Sequence, residues 1–306
     1  MKRLLLPIIM VVFIFMMTNC QKKEPPVVFG QVSFSYITYT TAMANVNLRE
    51  LKTGAFRLGV VYSENPVPTV KDNVVDDFFS DPLSFSVGVS GLNPGTNYYV
   101  RPFIESSEGL FYGETIAFQT LQPEWFTDPR DSQKYLVKTY GNTTWMVENL
   151  NYHVPGSRYY ASDSIKYARE FGRLYTYNQA LVACPPGWRL PTPNEWNELI
   201  KFCGPSSEKA MEAMIEPGKR LWAASGEFIR NNATGFTIKP SGALSVLNGN
   251  ETFTEFGYNA SFWGKSGNNE TADVYTYTPH SSGHFIVKAD VRVNISYYSV
   301  RCVKDK

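Results

Sequence analysis

The sequence predicts a mainly β protein in which a β-sandwich is followed by an α+β domain. Three observations predict this architecture. The chain has 306 residues, enough for two domains of ordinary size. Residues 27–121 alternate apolar and polar side chains in short runs that turn residues separate. Residues 131–305 instead combine strand-like segments with two apolar helical patterns that carry clear start signals.

The first 19 residues predict an export signal that is not part of the fold. Lys2 and Arg3 give a positive start, and an apolar run over residues 4–17 follows. That run is shorter than the roughly 20 residues needed to span a bilayer. The segment "MTNCQKKEPP" then places Cys20 where cleavage would fall. On the residues alone, an ordinary signal peptide with a chance cysteine stays an alternative.

This segment resembles the signal of bacterial lipoproteins, in which the cysteine after the cleavage site becomes acylated. The resemblance implies a lipid on Cys20 and a tether over residues 20–26. Gln21 is not the aspartate that tends to retain lipoproteins in the inner membrane. The run "CQKKE" resembles the charged surface-export tags of Bacteroidetes lipoproteins. We therefore expect a lipid anchor in the outer membrane; the sequence leaves open whether the protein faces the periplasm or the cell surface.

Residues 27–121 predict an antiparallel sandwich of short strands. Strict alternation places every second residue on one face of a strand, where it can pack into a core. The alternating apolar residues are Leu83, Phe85, Val87 and Val89 in "LSFSVGV" and Tyr98, Val100 and Ile104 in "NYYVRPFI". Turn clusters such as Asn93-Pro94-Gly95 separate the strands.

One motif in this segment resembles the corner of fibronectin type III domains. The stretch "LNPGTNYYVR" carries the matching residues, Leu92, Pro94, Thr96 and Tyr98. The resemblance implies a fibronectin type III-like domain over residues 27–121, in which the tyrosine hydroxyl returns to the backbone. Such domains recur as spacers, so a structural role is expected here. Residues 122–130 then hold two Xaa-Pro bonds and predict a short, stiff linker.

Two helices are predicted around the stretch "CPPGWRLPTPNEW". The first begins at Thr176 and the second at Thr192, each followed three residues later by Gln or Glu in a capping box. Each helix has one apolar face. The residues on these faces are Tyr177, Ala180, Leu181 and Cys184 in the first helix and Trp196, Leu199, Ile200 and Cys203 in the second.

The position of Cys184 and Cys203 on apolar faces argues against chemistry at either sulfur. A reactive thiol needs a positive, partly open setting, and a metal site needs paired ligands at short spacing. None of the three histidines, His153, His280 and His284, supplies such a pair. A structural disulfide is favoured, which an exported chain permits. If Cys20 is acylated, three cysteines remain, and the residues alone leave three pairings open.

The second half of the chain resembles the Fibrobacter succinogenes major paralogous domain, which is grouped with C-type lectin-like folds. The matching motifs are "NTTWMVENLNY", "GRLYTY", "YTYNQALVACPPGWRLPTPNEWNEL" and "YYSVRCVKD". The resemblance implies a C-type lectin-like α+β domain over residues 131–305 and a disulfide between Cys184 and Cys302. Cys203 is then a free thiol packed as a small apolar group. The motif tryptophans Trp145, Trp188 and Trp196 are expected in the core.

The candidate ligand-binding residues are Trp263, Tyr275 and Tyr277, which lie in an aromatic, Asn- and Gly-rich stretch. Exposed rings there would stack on sugars or anchor a protein partner. The alternative is that they fill the core of the domain. The Glu-Pro-Asn, Gln-Pro-Asp and Trp-Asn-Asp motifs of calcium-dependent sugar-binding lectins are absent from the sequence. No cofactor or metal site is predicted.

The sequence supports three functional hypotheses. The first is a lipid-anchored outer-membrane or cell-surface protein that binds a carbohydrate or protein, or mediates adhesion, through the second domain. The second is a scaffold subunit of an envelope assembly. The third is an oxidase, because "WRLPTPNEW" is similar to a run in formylglycine-generating enzymes, but a non-catalytic role is expected since no catalytic arrangement is evident. A net charge of +1 with scattered Lys and Arg argues against nucleic acid as a partner.

Overall fold

The computed structural model describes residues 26–52, 54–76, 81, 83–160, 164–218, 220–223, 230–265, 271–277, 285–292 and 295–305. The predicted signal peptide, Cys20 and all but the last residue of the tether lie outside these ranges. Most elements of the described chain are β-strands, as predicted. Within the same ranges, no helix is long and apolar enough to cross a membrane.

The N-terminal part is a sandwich of two antiparallel sheets. One sheet has the order β1-β2-β5, and the other has the order β4-β3-β6-β7 with β8 also paired to β6. The strands are β1 (Val27–Ser35), β2 (Thr41–Leu51), β3 (Ala55–Ser63), β4 (Asn73–Asp76), β5 (Ser84–Ser90), β6 (Asn97–Ser106), β7 (Gly109–Tyr112) and β8 (Ile116–Gln119). The predicted alternation is confirmed for Phe85, Val87 and Val89, which lie in the core between the sheets. Leu83 precedes β5 and is exposed.

The tyrosine corner has the hydrogen bond that the motif implies. Tyr98 is buried at the start of β6, and its hydroxyl accepts a hydrogen bond from the Asn93 backbone N–H at 3.0 Å. The same hydroxyl donates to Glu64 Oε1 at 3.3 Å. The corner therefore fixes the loop before β6, which includes Asn93 and Pro94, against the sandwich.

The segment predicted as a linker contributes a strand to the second part of the chain. Within residues 122–130, β9 (Glu124–Thr127) pairs with β10 (Lys134–Tyr140) as the edge strand of a five-stranded sheet. Phe126 packs against Trp188 with ring centroids 4.9 Å apart, and this apolar contact explains why the segment joins the sheet. The connection between the two parts is correspondingly short.

The described residues of the C-terminal part form three sheets and four helices. The sheet orders are β12-β19-β11-β10-β9, β14-β13-β18 and β15-β16-β17. The helices are α1 (Ser164–Phe171), α2 (Tyr177–Ala183), α3 (Pro193–Cys203) and α4 (Ser207–Met214). The remaining strands are β11 (Thr143–Met146), β12 (Trp188–Arg189), β13 (Ala243–Leu247), β14 (Asn250–Thr254), β15 (Ala260–Trp263), β16 (Thr271–Tyr277), β17 (Phe285–Arg292), β18 (Ser296–Tyr297) and β19 (Val303–Lys304).

Both predicted helices begin at their predicted caps. The Thr176 side chain accepts a hydrogen bond from the Gln179 backbone N–H, the Thr192 side chain accepts one from the Glu195 backbone N–H, and both capping boxes are complete. The motif tryptophans Trp145, Trp188 and Trp196 are buried, as expected. The predicted face of α2 is wrong at Leu181, which is 46% exposed. Ala183 is buried instead, because it lies on the same inward face of the short helix as Tyr177 and Ala180.

Glu195 locks the start of α3 to strand β12. Its carboxylate accepts two hydrogen bonds from Arg189 at 2.8 Å each and one from the Thr192 backbone N–H at 2.8 Å. Burial alone would raise the pKa of Glu195, but the hydrogen bonds from Arg189 and Thr192 outweigh it and lower the pKa to about 2. The Arg and Glu of "WRLPTPNEW" therefore have a structural role here.

Replacing Glu195 with glutamine is expected to lower the free energy of unfolding at pH 7 by about 2–3 kcal/mol. The folded carboxyl has a pKa below its ordinary value of 4.5, so the unfolded chain takes up the proton first as the pH falls. The contribution of the Glu195 carboxylate to the free energy of unfolding is complete above pH 4.5 and disappears toward pH 2. Urea unfolding of the two proteins from pH 7 to 3 measures this, with exposed Glu198→Gln as the control. If the difference in unfolding free energy between the wild type and Glu195→Gln were the same at every pH, the prediction would be contradicted.

The two parts of the chain are packed directly on each other. A Cβ added to Gly88 on β5 would lie 2.7 Å from the Gly218 nitrogen and closer still to Pro217, so only glycine fits at this contact. Arg220 donates to the Ser90 hydroxyl at 3.2 Å. Asn232, which is fully buried, donates to the Thr41 hydroxyl at 3.1 Å. These contacts give the junction a defined shape.

Candidate functional site

Two of the cysteines are used for a structural bridge. Cys184 caps the end of α2 and is joined by a disulfide to Cys302, just before β19. The structure thus contains the pair that the family resemblance implies. Cys302 is fully buried in an apolar cluster with Trp188 and Trp263. Neither sulfur is available for chemistry in this state.

The remaining described cysteine, Cys203, is free and partly buried at the end of α3. Burial raises the pKa of its thiol to about 12, although a hydrogen bond with Thr234 and the charge of Lys138 act in the opposite direction. A thiol with this pKa is protonated at neutral pH and is a poor nucleophile. Among the described residues, no group of three or more His, Cys, Asp and Glu side chains is placed to hold a metal ion.

The predicted ligand-binding role of Trp263 and Tyr275 requires exposed rings, and the structure buries both residues. The Trp263 indole N–H donates to the Tyr175 carbonyl at 2.7 Å, and Tyr275 stacks on Trp196 with centroids 5.2 Å apart. Trp263 is buried because β15 is covered on both faces, and Tyr275 on β16 is buried because Trp196 covers its ring, so the expectation of exposed rings is wrong for these two residues. The side chain of Tyr277 lies outside the described residues.

The junction between the two parts contains a cleft with two adjoining lobes. We call them the tryptophan lobe, of about 480 Å³, and the basic lobe, of about 230 Å³. The tryptophan lobe is bounded by the β5–β6 loop at residues 91–94, by Trp125 and by Glu216. The basic lobe lies over β10 and the segment that follows β11, and it is lined by residues that include Lys134, Asn151 and Arg301. Both lobes are lined by Thr40, Leu136, Glu148, Arg169, Glu170 and Lys239.

Three buried side-chain oxygens of residues that line this cleft have no hydrogen-bond partner among the described residues. They are Thr40 Oγ1, Asn151 Oδ1 and Glu216 Oε2. A buried polar atom without a partner costs about 1–3 kcal/mol unless water or a ligand satisfies it. The walls of the cleft therefore contain polar atoms whose hydrogen-bonding capacity the described residues leave unused.

Trp125 gives the cleft an exposed aromatic ring. It lies on the edge strand β9, opposite Leu136 on β10, and is 44% exposed. Its neighbour Phe126 points into the core on the other side of the sheet. The alternation of the strand thus presents Trp125 to the tryptophan lobe.

An ion-pair network joins α1 to the loops beside the cleft. Glu170 binds Lys239 at 2.5 Å and both terminal nitrogens of Arg220 at 3.0 Å. Arg220 also binds Glu216 at 2.6 Å. Burial would raise the pKa of Glu170, but hydrogen bonds and charges from Arg220 and Lys239 lower it to about 2. Glu170 is therefore charged at neutral pH, and its ion pairs join α1 to the cleft wall.

Arg301 lies beneath the basic lobe and is fully buried. Its guanidinium donates to Asn149 Oδ1 at 2.7 Å, to the Phe236 carbonyl at 2.7 Å and to the Thr237 carbonyl at 2.9 Å. All three acceptors are neutral, and no carboxylate within the described chain forms an ion pair with Arg301. Burial lowers the pKa of Arg301 to about 9, so it stays protonated at neutral pH.

The residues of this cleft were not among those predicted from the sequence. Trp125 lies in the segment predicted as a linker, and Arg301 lies in the motif of the terminal strand, where no binding role was predicted for it. The alternation of "EWFT" with an apolar ring at its third position was a signal for a strand that exposes Trp125. Thr40, Asn151 and Glu216 come from distant parts of the chain, and no local pattern connects them.

A family model described as the Fibrobacter succinogenes major domain matches residues 138–304. No curated protein matches the chain. Parts of the chain are also similar to solved structures of small domains, among them the following three. Two are sensor domains of the anti-sigma factor RsgI4 from Pseudobacteroides cellulosolvens. The first is 20% identical, and the match covers 32% of this chain and 97% of that one, with a TM-score of 0.26.

The second, a solution structure, is 18% identical, and the match covers 35% of this chain and 83% of that one, with a TM-score of 0.26. The third is the fibronectin type III domain of human fibronectin type III domain containing protein 3. It is 13% identical, and the match covers 37% of this chain and 99% of that one, with a TM-score of 0.25.

Proposed function

The chain belongs to the Fibrobacter succinogenes major domain family, and from that premise we propose that it is a non-catalytic saccharide-binding protein that uses the junction cleft. We further propose that Cys20 carries a lipid that anchors the protein in the outer membrane, where it mediates binding or adhesion. In this proposal the C-terminal part is a C-type lectin-like domain whose site is completed by the sandwich.

The observation that carries the proposal is the coincidence of unpartnered oxygens and an exposed tryptophan in one cleft. Sugars offer hydroxyl donors for oxygens such as Asn151 Oδ1 and Thr40 Oγ1. They also present C–H faces that pack on aromatic rings such as Trp125. A cleft that supplies both contacts suits a saccharide better than a purely apolar ligand.

The state of the cysteines supports a non-catalytic role. The oxidase hypothesis needs reactive sulfur near the C-terminus, and Cys302 is in a disulfide. The high pKa of Cys203 keeps that thiol protonated. The "WRLPTPNEW" run, which suggested an enzyme, holds α3 in place through Arg189 and Glu195.

The test is a binding measurement with the exported full-length chain on an array of oligosaccharides, followed by Trp125→Ala. Loss of the stacking ring is expected to weaken binding about tenfold or more. Leu247→Ala is the matched control, because Leu247 is also exposed but lies on the β13–β14 hairpin and lines neither lobe.

Two results would overturn the proposal. If Trp125→Ala binds the same saccharides as tightly as the wild type, the junction cleft is not the site. If the wild-type protein binds no saccharide at high density, a scaffold role in an envelope assembly replaces the binding role. Thermal unfolding of each variant shows whether a loss of binding reflects a loss of fold.

A further inference from the structure

We propose that the basic lobe recognises the carboxylate of an acidic saccharide, such as a uronic or sialic acid. This inference rests on the proposed function and specifies its ligand class. It assigns the two lobes different tasks. The tryptophan lobe packs against a sugar ring, and the basic lobe selects the charge.

The charges that line the basic lobe do not balance. Glu170 is already neutralised by its ion pairs with Lys239 and Arg220. The other charged residues that line the lobe are three cations and the carboxylate of Glu148. The cations are Lys134, Arg169 and Arg301. The lobe therefore has an excess of positive charge while the chain as a whole has a net charge of only +1.

Two of these cations are free to meet a ligand. Lys134 lies on β10 and Arg169 lies in the last turn of α1, and both are exposed. Neither side chain forms a hydrogen bond or an ion pair with another described residue. Their extended side chains can reach an anion in the lobe without losing an existing partner, and arginine can bind a carboxylate with two parallel hydrogen bonds.

The third cation, Arg301, adds a fixed charge beneath the lobe. Because it is buried and bonded only to neutral oxygens, solvent screens its charge weakly. Glu148 offsets part of this charge, and one of its oxygens is occupied by the Leu136 backbone N–H at 2.7 Å. A ligand carboxylate at the mouth of the lobe would neutralise part of the remaining positive charge.

The remaining groups of the lobe suit the sugar ring that carries the carboxylate. Asn151 Oδ1 and Thr40 Oγ1 are buried acceptors without partners, and a sugar hydroxyl can donate to each. The volume of about 230 Å³ suits a single ring rather than a long chain. A ring in this lobe would be continuous with further sugars in the tryptophan lobe.

The experiment compares matched ligands on the full-length protein. Oligosaccharides of uronic and sialic acids are printed beside their methyl esters, which keep the sugar but remove the charge. We expect the wild type to bind the acids about tenfold more tightly than the esters. The double variant Lys134→Gln, Arg169→Gln is expected to lose most of this preference, with the remainder due to Arg301, and to bind the esters unchanged.

A second double variant, Lys71→Gln with Lys201→Gln, is the control, because it removes two exposed charges that line neither lobe. It should keep the preference. Equal binding of acids and esters by the wild type would overturn the inference, as would a preference in Lys134→Gln, Arg169→Gln that is as large as in the wild type. Binding of neutral saccharides that depends on Trp125 would then leave the proposed function standing, whereas no binding of any saccharide would overturn both.

Discussion

Replacing both Cys184 and Cys302 with serine is expected to lower the free energy of unfolding by about 4–5 kcal/mol. The bridge joins residues that are 118 positions apart, and so it removes a large loop-closure entropy from the unfolded chain. It also ties α2 to the segment before β19, in the middle of the apolar cluster around Trp188 and Trp263. A loss of this size is a large fraction of the stability of an ordinary domain.

Urea unfolding of the oxidised protein and the double serine variant measures this loss. Cys203→Ser is the matched control, because Cys203 is the free, partly buried cysteine and its replacement removes no covalent link. We expect that variant to lie within about 1 kcal/mol of the wild type. Alkylation of Cys184 and Cys302 without prior reduction in the exported protein would contradict the bridge itself.

The sequence was most informative where the physical cause is local. The caps at Thr176 and Thr192 were predictable because each box involves residues only three positions apart. The alternation of Phe85, Val87 and Val89 likewise follows from the geometry of one strand. The tyrosine corner at Tyr98 belongs to the same class, because its partner is the nearby Asn93.

The predictions that required knowledge of distant packing were less successful. Trp263 and Tyr275 were candidates for an exposed surface because their neighbours in sequence are polar, and burial in the core was the alternative. Cores on both sides of β15 bury Trp263, and Trp196 on α3 covers Tyr275. Leu181 was placed on the inner face of α2 by spacing alone, although the bridge at Cys184 and the packing of Ala183 determine which side faces inward.

The cleft also could not be predicted from local sequence patterns, because it is formed by segments that are far apart in the chain. Its walls come from the β1–β2 loop, the β5–β6 loop, the edge strand β9 and helix α1. These segments meet because Gly88 allows the sandwich backbone to approach Pro217 closely. A glycine in a strand is visible in the sequence, but the surface that it contacts is not. The site therefore depends on how the two parts are joined.

The disulfide and the basic lobe are linked through adjacent residues. Arg301 precedes Cys302, and the extended backbone directs their side chains to opposite sides. Cys302 enters the cluster that contains Trp188, while Arg301 packs over the rings of Phe236 and Phe262 beneath the cleft. The bridge thus fixes the segment that positions the buried charge.

Replacing Arg301 with methionine is expected to lower the free energy of unfolding by about 3 kcal/mol or more. The apolar side chain fills most of the space but leaves Asn149 Oδ1 and the Phe236 and Thr237 carbonyls without their donor. Each buried acceptor that loses its partner costs about 1–3 kcal/mol. Arg301→Lys should be intermediate, because an ammonium keeps the charge but cannot match the fork of the guanidinium.

Urea unfolding at pH 7 measures these differences, and Arg169→Met provides the matched control. Arg169 is exposed and has no partner in the described chain, so its replacement should change stability by less than about 0.5 kcal/mol. If Arg301→Met were as stable as the wild type, the three acceptors would have to be satisfied by water from the lobe. In that case the buried guanidinium would not be needed for the fold, and its presence beneath a polar cleft would have to be explained by its charge alone.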